Sequence, residues 1–82
     1  MTYNVERIRA DFPSLTSGVA HFDGPGGSQV PASVAQAVAA TLISPISNRG
    51  TITESERNAE KTVVDFRSAV SDLLNCQPNL TV

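Results

Sequence analysis

The 82 residues carry six basic and eight acidic side chains, giving a net charge of −2 and a pI near 5.1. The basic residues are scattered, with no Lys/Arg cluster interleaved with aromatics, which argues against nucleic acid or an anionic membrane surface as a partner. Hydrophobic content of 40% with 17% charged residues is globular, yet 5% aromatics and no Trp leave few side chains able to bury large areas.

A chain of this length sits at the lower end of what forms a self-sufficient core. It is better suited to packing against something else. The single cysteine, Cys76, excludes an intrachain disulfide and fits a reducing cytoplasm. Glu6, Arg7, Arg9 and Asp11 interrupt the opening residues, so no signal peptide is read there. No apolar run approaches the roughly 20 residues that span a bilayer. A cytoplasmic protein is the expectation.

Asn4 is placed to cap a short helix with Val5, Ile8 and Phe12 on one face. Pro13 should stop it, because the residue before proline is pushed out of the α region. Ser14 to Gly18 reads as a turn, and Val19-Ala20-His21-Phe22 as a short strand carrying a half-buried histidine. Asp23-Gly24-Pro25-Gly26-Gly27-Ser28 then breaks all regularity. Pro31 suits the first turn of a second helix carrying Val34, Val38 and Leu42, which Ser44-Pro45 ends. Ile46 to Gly50 reads as a loop.

Thr53 and Glu56 form a Thr-x-x-Glu capping box. Ala59, Val63, Phe66, Val70, Leu73 and Leu74 then hold a 3.6-residue period over roughly 20 residues. Asn75 can end that helix and Pro78 prevents its continuation. Leu80-Thr81-Val82 reads as the start of a strand. The expected class is mainly α with short strands, forming one segment over residues 1–82.

Few constellations carry chemistry. Gly-Pro-Gly-Gly between a strand and a helix admits a phosphate cradle, though it matches neither Gly-x-x-x-x-Gly-Lys-Ser/Thr nor Gly-x-Gly-x-x-Gly. A plain tight turn is the commoner meaning of such a run. One His and one Cys cannot supply the three or four protein ligands of a metal site. No catalytic residue is assigned. Cys76 follows a helix C-terminus, which disfavours a thiolate, and reads as a packing thiol.

The order of Val5–Leu15, His21-Phe22-Asp23 with its Gly-rich loop and Pro31, Asn48-Arg49-Gly50, and then a long helix resembles the N-terminus of class V aminotransferases. The closest likeness is to their cysteine desulfurase-like branch of pyridoxal-phosphate enzymes. The resemblance runs from Val5 to Val82 and implies the N-terminal part of a large α/β pyridoxal-phosphate transferase fold. It places Gly26 and Gly27 beside the substrate. Asn48 and Arg49 resemble part of a His-Arg-Gly-x-His segment near the active-site mouth, with Asn48 and Ile52 in the two histidine positions. Arg49 keeps the planar fork that suits a carboxylate or phosphate.

By the same resemblance, pyridoxal phosphate belongs to the parent enzyme and is not expected on these residues alone. The phosphate-binding loop and the Schiff-base lysine would follow Val82, and the only lysine, Lys61, lies mid-helix on a charged face. The implied partners are the rest of the parent chain, a homodimer mate and a small amino-acid substrate. The alternative is a small non-enzymatic helical interaction module that uses the long amphipathic helix.

Overall fold

The computed structural model describes residues 2–80. The chain divides into two units, Met1–Thr41 and Leu42–Val82, and each is taken by itself.

In the first unit the Asn4 carboxamide oxygen accepts from the Arg7 N–H at 3.0 Å and starts helix α1, Val5–Ala10. The cap satisfies one of the four N–H groups that open every helix without a partner. Phe12 is already extended ahead of Pro13, as the proline requires. Pro13–Ser17 winds into a 3-10 turn against α1 and ends on Gly18 in the left-handed region. A second short turn, Gly24–Gly26, follows Asp23. The Ala32 N–H then donates to the Asp11 carbonyl at 2.8 Å, so the two ends of segment 12–31 meet.

Helix α2, Ala32–Ile43, begins there, with the Pro31 carbonyl accepting from Val34 and Ala35. Proline thus precedes the helix by one position, where its fixed φ costs nothing. No residue of α2 is charged, and none is buried.

The second unit is built on helix α3, Glu54–Leu74. Its capping box is complete: Glu56 N–H donates to Thr53 Oγ1 at 3.2 Å, and the Glu56 carboxylate accepts from Thr53 N–H at 3.2 Å. Asn75 ends the helix in the left-handed region at φ 54°, its N–H returning to the Ser71 carbonyl. A terminal 3-10 turn, Pro78–Leu80, folds back on α3. Removing the Thr53 hydroxyl breaks half of the capping box. Thr53→Ala should therefore cost about 1 kcal/mol of α3 stability, read as lost helical ellipticity and faster amide exchange at Ser55 and Glu56.

The expected strands are absent among the described residues, and the α/β expectation is corrected with them. Val19–Phe22 has no regular structure, and Phe22 is almost fully exposed. A strand must hand its N–H and C=O groups to a neighbour, and no second strand is available here. The described residues form helices and 3-10 turns only. His21, expected half-buried on a strand, is exposed in the loop. Leu80, expected to open a strand, closes the terminal turn, while residues 81 and 82 lie outside the described residues.

What the helices lack is cover. Ala59 is the one apolar residue counted as buried among the described residues, with Ser71 its polar counterpart. The chain exposes 6872 Å², whereas two compact bodies of half its mass would together expose roughly 5,700 Å². The α3 period is real but its apolar face is open: Phe66 is 54% exposed and Leu73 81%.

Candidate functional site

The Gly-rich loop is a self-contained turn. Asp23 Oδ1 accepts from the Gly26 N–H at 3.3 Å, that N–H also points at the Asp23 carbonyl, and the Gly27 N–H donates to the Gly24 carbonyl at 3.1 Å. Both glycine donors are therefore committed within the loop. A backbone anion cradle needs those N–H groups turned outward. The loop contributes close approach instead, and Gly27 shows why glycine is required: it sits at φ 135° and ψ 147°, a region closed to side chains.

Gly27 borders an open cavity of about 290 Å³ in the first unit. One wall is apolar, from Ile8, Phe12 and Leu15; the rim carries Arg9, His21 and Gln29. Gln29 Nε2 lies 3.3 Å from His21 Nδ1. A second, more polar hollow beside Phe22 is lined by both Gly26 and Gly27.

Asn48 and Arg49 lie in the second unit, held by the opening turns of α3. Asn58 Nδ2 donates to the Pro45 carbonyl at 2.8 Å, and Arg57 Nη1 donates to the Ile52 carbonyl at 2.9 Å. The Glu56 carboxylate also accepts from the Ile52 N–H at 2.9 Å. Arg49 meets Glu60 in a bidentate pair, with Nε to Oε2 at 2.8 Å and Nη2 to Oε1 at 2.9 Å. Two of the five guanidinium N–H groups are thereby used, and the fork's other edge remains for an anion. Asn48 is exposed, and its carbonyl accepts from Ser47 Oγ at 3.3 Å.

The pair keeps both members charged. The hydrogen bond from Arg49 holds the Glu60 carboxyl below its ordinary value of 4.5, with the charges of Arg49 and Arg67 adding to it against partial desolvation. The same bond raises Arg49, followed by the Coulombic attraction of Glu60. Because the folded Glu60 value is depressed, its contribution is complete above about 4.5, the unfolded value, and is lost as pH falls through the lower folded value. Solvent screening keeps the effect small. Amide shifts of Asn48 to Gly50 should thus be flat above about pH 5 and move below it, and Glu60→Gln should abolish that transition.

Sequence reading singled out Arg49 but not its clamp. Glu60 stands 11 positions away, and no spacing rule links a loop arginine to the second turn of a later helix. Arg9 was equally hidden, since it lines the cavity with His21 and Gln29, 12 and 20 positions further along. Lys61 pairs with Asp65 one helical turn along α3. Cys76 is half-buried after α3, its N–H donating to the Ser71 carbonyl at 3.0 Å. No group of three or more metal-ligating side chains occurs among the described residues, and none of their helices is long and apolar enough to cross a membrane.

Similarity to known proteins is narrow. No protein family and no solved structure matches the chain. An uncharacterized protein of Mycobacterium tuberculosis (strain CDC 1551 / Oshkosh), MT3887, is 41% identical over 80 residues. The match takes in 95% of this chain and 20% of that protein. The chain spans about a fifth of the length of the relative it matches.

Proposed function

We propose that these residues are the N-terminal segment of a longer, cytoplasmic, pyridoxal-phosphate-dependent enzyme acting on an amino acid, similar to cysteine desulfurases, and are not competent alone. In this reading Gly26 and Gly27 border the substrate, and the open edge of Arg49 orients an anionic group near a homodimer interface. Asn48 neighbours that group. The observation that carries the segment part is the 41% identity that fills this chain but only 20% of the relative. Uncovered apolar residues on α2 and α3 support it. The chemical part rests on the ordered resemblance from Val5 to the long helix.

In this reading the described residues do not themselves hold the cofactor. Lys61 is tied to Asp65, and the Gly26 and Gly27 N–H groups are used inside their loop. The reading therefore leaves cofactor binding to the remainder of the longer chain. Bound there, pyridoxal phosphate would supply the electron sink for the amino acid's carbanion chemistry.

The test is to express the longer reading frame and add pyridoxal phosphate. The reading expects a visible absorbance band removed by borohydride, and Arg49→Gln should raise KM about tenfold while leaving that band intact. Glu60→Gln, which frees Arg49 without removing it, should leave KM within about twofold. A longer protein that shows no such band sinks the reading.

A further inference from the structure

We infer that the cavity between α1 and the Gly-rich loop, which shares Gly27 with the proposed substrate border, is a binding site for a small apolar carboxylate. Its chemistry is split. One wall consists of Ile8, Phe12 and Leu15, the last two only partly exposed. The rim contributes polar groups: the Arg9 guanidinium, and a His21 ring paired with the Gln29 amide. Arg9 takes part in no ion pair among the described residues. The rim's one carboxylate, Asp23, accepts from the Gly26 N–H.

Such a pocket selects a ligand with a carboxylate at one end and a compact hydrocarbon at the other. Guanidinium and carboxylate fit as a planar fork, the strongest neutral-pH recognition a lone arginine can offer. A volume of about 290 Å³ accepts a branched or aromatic acid of a few carbons and leaves no room for a drug-sized ligand. Gly27 keeps the mouth open, since a side chain at its φ of 135° would refold the loop that forms the rim.

The experiment is a titration with 4-methylpentanoate, followed by the amide resonances of Gly24, Gly27 and Ser28. It is run on the isotope-labelled 82-residue chain and again on the longer polypeptide. Saturable shifts in either are expected, with Arg9→Gln weakening binding about tenfold or more and Lys61→Gln leaving it unchanged. 4-Methylpentan-1-ol should bind at least tenfold more weakly than 4-methylpentanoate. Absent or non-saturating shifts in both proteins overturn the site, as does equal binding of the alcohol or indifference to Arg9→Gln. These shifts are independent of the borohydride-sensitive band, so each proposal can fail alone.

Discussion

Gly27→Ala should lower the stability of the loop by about 1–3 kcal/mol, a roughly five- to 150-fold loss of its folded population. The residue holds φ 135° and ψ 147°, and nothing lies within 4 Å of where a Cβ would stand. The penalty is therefore one of backbone conformation, and no neighbour can relieve it by moving. Gly24 supplies the control, because a Cβ there also meets open space and its φ is ordinary for an L-residue. Gly24→Ala should be close to neutral. Gly26→Ala falls between them: its Cβ would overlap the Asp23 carboxylate, which can swing away at the cost of its bond to the Gly26 N–H. Hydrogen exchange at Gly26, Gly27 and Ala32 reads all three variants. If Gly27→Ala exchanged no faster than Gly24→Ala, the loop geometry would be wrong.

Val38→Asp should behave differently in two contexts, and the difference measures how much of α2 is covered. In the 82-residue chain Val38 is 54% exposed, and the change should cost about 0.5–1 kcal/mol, mostly from helix propensity. Helix α2 has no charged residue on any side, a pattern found in helices surrounded by protein. In the longer polypeptide the same aspartate would be a buried, unpaired charge. It should cost several kcal/mol and appear as a large drop in melting temperature or loss of soluble protein. Equal small effects in both would place α2 on a genuine surface and remove the main physical support for a segment.

The helices were legible because their signals are local. Asn4, the Thr53–Glu56 box, Pro13, Asn75 and Pro78 all act within one turn of themselves, and each performs its expected role. The strands were misread for the opposite reason. Val19–Phe22 has strand-compatible residues, but a strand is a property of a pair, and no partner occurs among the described residues. The period from Ala59 to Leu74 predicts which face is apolar, not whether anything covers it, and Leu73 and Leu74 remain open.

The candidate site followed the same division. Gly27 stood out through the resemblance and as part of a Gly-Pro-Gly-Gly run that breaks regular structure; its φ of 135° shows why glycine stands there. Arg49 stood out through the resemblance of Asn48-Arg49-Gly50 to a His-Arg-Gly-x-His segment, since a lone loop arginine is otherwise an ordinary solvated charge. Its anchoring by Glu60, and the lashing of that loop by Glu56, Arg57 and Asn58, depend on how residues 45–53 lie along α3. Arg9 lines a cavity with His21 and Gln29, which lie 12 and 20 positions further along, a proximity no local spacing rule gives.

The central claim is that these residues form part of a larger folded body and leave their apolar faces open without it. Thermal melting of the isolated 82-residue chain, followed by far-ultraviolet circular dichroism, tests it most directly. The account predicts a broad, non-cooperative loss of helix with no defined midpoint, since little apolar area is buried to make the units melt together. A sharp, reversible, two-state transition would contradict it and favour an independent helical module.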